Sequence, residues 1–389
     1  MLKKIAKYFF FKIINLIPKK NSVLVFGDRA GIRFADNSRY LFLYLSKYHK
    51  EFKCIWITKE KEIFNYLNKK GFKCFFSNSF KGIYYTLVAK YHLYNFVEND
   101  INKYITYFSN NILLWHGVLP KKLSETKNKL EKNFVNRKLK KYFLYPNSQM
   151  AINILNHFQE KKFDLFISNL PRNILLKKDE MDRNYFLTDQ EIEFKDQLSK
   201  ERKITIGYFP TWRADGIELF KDVKELSILK KLDDFLDKMN SLLLIKKHMN
   251  SEKRDNNRHY NIEIEKTAKY INNLKNIKNV NFEFDLNSLL DNCDVLVSDY
   301  SGVIFDYLYL DRPIIIYAPD YEDFIKYNGF NLDPIKENFC HVAYNIHDLK
   351  KLFEEYFEDR VRFKEKFSKQ RLKIKNKVFQ GNADPKNLI

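Results

Sequence analysis

DVLVSDYSGVIFDYLYLDRPIIIYA, residues 294–318, decides the fold. The apolar run 295–297 reads as a short buried strand. It stops at Ser298, Asp299, Ser301 and Gly302, all small or polar. A helical pattern begins at Val303, with Phe305, Leu308 and Tyr309 on one face, and a second apolar run covers 313–317. Strand, tight turn, helix and strand make the βαβ unit of a parallel sheet. The turn lies at a helix start, where unpaired N–H groups and the helix dipole favour an anion. Ser298 and Ser301 add hydroxyl donors, and Gly302 leaves room for a phosphate to approach the backbone. The segment is a candidate site for a phosphorylated ligand. The alternative is an ordinary strand-to-helix turn capped by Ser301, since neither a Gly-x-Gly-x-x-Gly nor a Walker pattern is present.

Working outward, the same alternation fills the chain. Strands are expected at 22–26, 54–58, 74–76, 92–97, 111–115 and 163–168, with helices over 38–47, 60–70, 80–90 and 149–160. Residues 121–143 read as a Lys-rich helical region, and the polar stretch 177–202 as a connecting helix. A second βα series starts with a strand at 204–209, followed by a helix over 223–239 and strands at 241–245, 280–282, 295–297 and 314–317. Two consecutive α/β halves with polar strand ends imply two Rossmann-like domains facing a cleft, divided as 21–170 and 171–389. Residues 1–20 form a third segment. Lys3, Lys4, Lys7 and Lys12 accompany Ile5, Tyr8, Phe9, Ile13, Leu16 and Ile17, and Pro18 ends the helix. Large aromatics on a basic helix suit a membrane interface, and packing on the chain's own domain is the alternative.

The chain has 389 residues and is 45% hydrophobic, which allows a full core and excludes a disordered chain. Cys54, Cys74, Cys293 and Cys340 lie far apart, match no zinc spacing, and read as reduced core thiols. No apolar run is long enough to span a bilayer. The formal charge of +20 concentrates at the amino terminus, in 121–141 and in 246–259. Such a surface attracts nucleic acid, anionic lipid or an anionic polymer, unless the excess of Lys, Asn, Ile, Phe and Tyr is a compositional bias of the source.

Two histidines stand at strand ends. His116 precedes Gly117 after the run 111–115; a ligand-accessible imidazole there suits a general base. His248 follows Lys246 and Lys247 at the corresponding end in the second half, where cationic or hydrogen-bonding groups stabilise a leaving phosphate. His92, His157, His259 and His341 read as structural. Thr211, Trp212 and Arg213 close the strand at 204–209; Arg213 has the fork to pair with a phosphate. Asp299 and Asp306 are candidates to orient donors or bind a ribose, and Asp299 equally a cap. No Asp-x-Asp pair sits at a strand end, so no bound metal is expected.

Taken together, these segments resemble the CDP-glycerol glycerophosphotransferases of teichoic acid and related capsule synthesis. The blocks are Val25-Phe26 with Asp36-Asn37-Ser38-Arg39-Tyr40-Leu41, then Trp115-His116-Gly117 with Pro120-Lys121-Lys122-Leu123, then Pro171-Arg172-Asn173. Tyr208, Pro210-Thr211-Trp212-Arg213 and Ser298-Asp299-Tyr300-Ser301 through Arg312-Pro313 complete the order. The chain departs from the family pattern at Met249 after His248, at Gly302 in place of a second Ser, and at Asn169 and Ile174 around Pro-Arg-Asn.

The resemblance implies a GT-B fold, an activated CDP-alcohol such as CDP-glycerol as donor, and peripheral attachment to the cytoplasmic face of the membrane, an anionic lipid surface; no cofactor is expected besides that donor. It implies transfer of glycerol phosphate to a hydroxyl of a lipid-linked or growing anionic polymer, with release of CMP. His116 takes the role of base, His248 handles the diphosphate, and Ser298 and Ser301 bind it; Gly117, Thr211, Arg213, Asp299, Gly302 and Asp306 complete the expected substrate contacts. Nucleic acid is not an expected partner. Two other readings stay open at this point: a nucleotide-sugar glycosyltransferase on the same fold, and a basic membrane-bound binding protein without catalysis.

Overall fold

The computed structural model describes residues 14, 16–122, 139–158, 163–177, 180–201, 203–211, 226–246, 269–281, 283–381 and 387. The expected helix at 1–20 lies almost wholly outside them, as do Arg213 and His248 and most of 121–141. The chain gathers into two compact units. One comprises Met1–His116, Glu125–Phe186 and Phe379–Ile389, the other Gly117–Ser124 and Leu187–Val378.

The first unit is built on seven strands: β1 (Lys20–Gly27), β2 (Lys53–Thr58), β3 (Lys73–Phe76), β4 (Ala89–Tyr94), β5 (Asn110–Leu113), β6 (Lys141–Tyr145) and β7 (Phe163–Ile167). They pair in the order β3-β2-β1-β4-β5-β6-β7, and each pairing is parallel. A parallel strand is covered on both faces by helices, so it reads as an unbroken apolar run. Val23, Leu24, Val25 and Phe26 of β1 and Ile55, Trp56 and Ile57 of β2 are buried accordingly. Lys141–Tyr145 corrects the helical reading of 121–143: its last three residues are buried in a strand between β5 and β7. The strand expected at 92–97 ends three residues early, at Tyr94. The helix Asp36–Tyr48 follows β1, and its Leu41, Phe42 and Leu45 face the core.

The second unit carries six parallel strands: β8 (Ile204–Tyr208), β9 (Ser241–Ile245), β10 (Ile277–Asn279), β11 (Val295–Ser298), β12 (Ile314–Tyr317) and β13 (His341–Ala343). Their order is β10-β9-β8-β11-β12-β13. The connecting helix expected at 177–202 is two helices, Glu180–Asn184 and Asp189–Glu201. Ile206, Leu243, Val295 and Ile315 from the sheet join Leu229, Leu236 and Phe353 from flanking helices in one apolar cluster. Burying each such side chain contributes about 1.5–3 kcal/mol before chain entropy is counted. All four cysteines are buried and free, and burial pushes the thiols of Cys54 and Cys74 up to about 12. They are core thiols, as expected from their spacing.

Each sheet reverses its strand order once, between β1 and β4 in the first unit and between β8 and β11 in the second. Ligands of open parallel sheets bind in the crevice outside the carboxyl ends of the strands at such a reversal. Most residues discussed below stand at or just beyond the carboxyl ends of these strands and of β5; Arg172 comes from the turn after β7.

Candidate functional site

In the first unit, His116 is placed by an abrupt turn after β5. Trp115 has φ of 57° and Gly117 has φ of 119°, so the backbone is left-handed on both sides of the histidine. Gly117 suits that conformation because it carries no Cβ; Trp115 adopts it at a cost of about 1–3 kcal/mol. The indole of Trp115 is buried against Phe143 and Phe158, at ring separations of 6.0 and 5.8 Å, which holds it in the strained form. The half-buried imidazole of His116 stacks on Phe96 at 4.6 Å and 19° and leans on Trp115 at 4.4 Å.

Three residues from distant parts of the sequence hold this turn. Asn37 is fully buried; its side-chain amide donates to the carbonyls of Leu114 and Trp115 at 3.2 and 3.0 Å. Its Oδ1 accepts the backbone N–H of Arg172 at 3.1 Å. Arg172 Nη1 donates to the His116 carbonyl at 2.9 Å and to Asp36 Oδ1 at 3.0 Å. Asp36 itself sits at φ of 57° and accepts the N–H of Asn37 at 2.7 Å. In the sequence, Asp36, Asn37 and Arg172 stand only as parts of ordered blocks, with no pattern that assigns them to the site. Their signal was the blocks themselves; what they do appears only once β1, β5 and the 171–177 turn are brought side by side.

A second layer lies behind them. Asn95 donates to Asp28 Oδ1 at 2.8 Å, and its Oδ1 accepts the N–H of Ser38 at 3.0 Å. Burial, followed by the nearby Asp36 carboxylate, pushes the Asp28 carboxyl well above the ordinary carboxylate range. Burial also raises Asp100, against the lowering effect of the backbone N–H groups of Ala30, Phe96 and Val97 that it accepts.

In the second unit, the loops after β8 and β11 bring Thr211, Ser298, Asp299, Ser301 and Gly302 together. Asp299 Oδ1 accepts both the N–H and the hydroxyl of Thr211, at 2.8 and 2.6 Å. Two residues expected to contact substrate independently are therefore partners of each other. Ser298 is fully buried and its hydroxyl donates to the Phe209 carbonyl at 2.6 Å, tying β11 to the end of β8. Ser301 is half-buried, and the Val303 N–H reaches its Oγ only at 3.5 Å. The space a Cβ would fill at Gly302 lies 2.3 Å from the Val118 carbonyl oxygen, so the protein's own backbone already excludes a side chain there. The helix that follows is short, Val303–Tyr307, and Asp306 within it is 2% exposed.

A family model described as CDP-Glycerol:Poly(glycerophosphate) glycerophosphotransferase matches residues 9–383. The chain is 29% identical over 343 residues to a teichoic acid poly(glycerol phosphate) polymerase of Bacillus spizizenii, covering 80% of this chain and 77% of that one. It is 25% identical over 392 residues to a teichoic acid glycerol-phosphate transferase of Staphylococcus aureus, covering 92% of each. The wall teichoic acid polymerase TagF superposes with a TM-score of 0.66 at 20% identity, over 95% of this chain and 89% of that chain. That likeness is one of fold: two parallel-sheet α/β domains of the GT-B class.

Proposed function

Because the chain belongs to the CDP-glycerol:poly(glycerophosphate) glycerophosphotransferase family, we propose that it transfers glycerol phosphate from CDP-glycerol to a hydroxyl of a growing teichoic-acid-type polymer, with His116 as the base. The acceptor oxygen forms a new bond to the phosphorus that bears glycerol. The bond from that phosphorus to the CMP oxygen breaks, and the hydroxyl proton passes to the imidazole. Phosphoryl transfer is mainly positioning and charge stabilisation. Arg213, His248 and Ser301 neutralise the diphosphate in this scheme, and Asp299 holds Thr211, two positions before the first of them. No metal ion is assigned to that charge in this scheme, so transfer is expected to proceed in the presence of a chelator.

The observation that carries the reading is the fixed His116: its ring is held on Phe96, and its carbonyl is gripped by an arginine that Asp36 anchors. Removal of a general base lowers the rate by about 10²–10⁴. The test is CMP release and product mass with CDP-glycerol and a lipid-linked acceptor. His116→Ala at near-parental turnover removes His116 from the scheme; product built only from nucleotide sugars removes the donor.

The enzyme works at the cytoplasmic face of the membrane as a peripheral protein. The +20 charge and the basic residues among the first twenty support attraction to anionic lipid. Among the described residues no helix is long and apolar enough to cross a membrane. Deleting residues 1–20 is expected to abolish sedimentation with anionic vesicles, and unchanged sedimentation rejects the anchor.

A further inference from the structure

Three consecutive residues after β1 are left-handed, with φ of 44° at Arg29, 56° at Ala30 and 81° at Gly31. Only glycine adopts this backbone freely, so Arg29 and Ala30 are held in it by their surroundings. The Ala30 N–H donates to Asp100 Oδ1 at 2.8 Å, and the Gly31 N–H donates to the Asp28 carbonyl at 2.9 Å. The Gly31 carbonyl accepts the Lys59 N–H at 2.7 Å and the Thr58 hydroxyl at 2.9 Å. This turn sets the Arg29 guanidinium 4.4 Å from the centroid of the Phe96 ring, the same ring on which His116 stacks. Arg29 leaves β1 and Phe96 leaves β4, the two strands between which the sheet order reverses.

Among the described residues, no ion pair or hydrogen bond engages that guanidinium. The carboxyls that act on it electrostatically are Asp28 and Asp100. Both are buried and already occupied, Asp28 by Asn95 and Asp100 by three backbone N–H groups. Burial also pushes both toward the neutral acid. The positive charge of Arg29 is therefore left available beside the proposed base.

We propose that Arg29 binds the phosphate nearest the attacking hydroxyl of the acceptor, so that the enzyme selects acceptors whose end already carries a glycerol phosphate. The proposal rests on the reading of His116 as the base. In a glycerol phosphate chain the terminal hydroxyl and the phosphodiester are three carbons apart. Arg29 and His116 each lie against the Phe96 ring, at 4.4 and 4.6 Å from its centroid, so a chain whose hydroxyl meets the imidazole has its nearest phosphate in the neighbourhood of the guanidinium. A guanidinium holds two phosphate oxygens at once, which a lysine does not.

The test uses the full chain and a short soluble glycerol phosphate oligomer without CDP-glycerol, with affinity read by calorimetry. Arg29→Asn removes the charge and keeps a residue suited to left-handed backbone. It is expected to weaken oligomer binding about tenfold, with Arg29→Lys in between. In the transfer assay the acceptor KM rises by about the same factor for a phosphate-ended acceptor and stays level for a phosphate-free one. Thermal unfolding like that of the parent confirms that the variant is folded. Equal affinity of parent and Arg29→Asn for the oligomer overturns the proposal, as does an equal rise in KM for both acceptors or absence of binding by the parent. A parent that binds the oligomer through Arg29 but releases no CMP from CDP-glycerol overturns the transferase reading instead.

Discussion

Arg172→Ala separates the grip on His116 from the chemistry of the imidazole. The substitution deletes two hydrogen bonds from Nη1, to the His116 carbonyl at 2.9 Å and to Asp36 Oδ1 at 3.0 Å. Hydrogen bonds from a charged donor are worth about 1.5–3 kcal/mol each. The Arg172 side chain is 7% exposed and that of Asp36 19%, so water replaces part of the second bond. A loss of about 2–4 kcal/mol follows, against a total of about 5–15 kcal/mol for a typical domain. The protein stays folded well below its melting temperature, and the backbone bond from the Arg172 N–H to Asn37 survives. The larger effect is on rate. With its carbonyl released next to a left-handed Trp115, His116 gains freedom, and a displacement of about 1 Å at a reacting group costs about 10² in rate. We expect kcat for CMP release to fall about 10²-fold with the KM for CDP-glycerol changed less than threefold. Arg172→Lys reaches one acceptor but not both and falls about tenfold. Circular dichroism and thermal melts certify folding, and saturating CDP-glycerol isolates kcat. A folded Arg172→Ala protein with kcat within about threefold of the parent refutes the positioning argument.

Restoring serine at the turn, Gly302→Ser, drives a Cβ against the Val118 carbonyl oxygen 2.3 Å away; it is expected to destabilise by about 1–3 kcal/mol, read as a lower melting temperature. The buried His341 stacks on Phe363 at 3.6 Å, and burial lowers its imidazole from 6.5 to about 4. Its folded value is depressed for a base, so the unfolded chain takes up a proton that the folded chain refuses. Stability from this group is complete above about pH 6.5 and lost as pH falls toward 4, by up to about 3 kcal/mol. His341→Gln is expected to flatten the urea midpoint over that window, and an unchanged slope rejects the assignment. Asp28 has the opposite sign: its carboxyl is raised by burial, so its favourable contribution exists below its ordinary value of 3.8 and fades as pH rises through the elevated one. Asp28→Asn keeps an acceptor for Asn95 and is expected to gain stability relative to the parent on going from about pH 5 to pH 8; parallel curves count against it.

The strands were legible wherever both faces are covered, because burial on two sides writes an unbroken apolar run. β8, β9, β11 and β12 stand within a residue of their sequence positions for that reason. β6 was hidden by its lysine-rich approach and by having only residues 143–145 buried. β13, His341–Ala343, was hidden because it opens on a histidine and contains no apolar run. At the site, His116 and Gly117 were legible as a strand-end pair. Their supports were not, since Asn37 lies 77 and 78 positions from the carbonyls it binds and Arg172 56 positions from the one it grips. Local pattern predicts that a loop leaves a strand; only the order β1-β4-β5 determines which loops meet. The close approach of Val118 to Gly302 was illegible for a related reason, because no local signal announces that residue 118 passes over it.

The carboxyl-terminal residues rejoin the first unit after the last helix, Ser368–Val378, of the second: the Gln380 N–H bonds the Pro146 carbonyl at 2.9 Å, and Gly381 lies so close to Ser168 that a methyl group there would meet its Cα at 2.4 Å. During synthesis the lobe begun earliest therefore receives its closing piece last, once the second sheet has emerged. A premature stop shortly before residue 379 would spare the six-stranded half and leave the amino-terminal half, with its histidine, lacking its final brace.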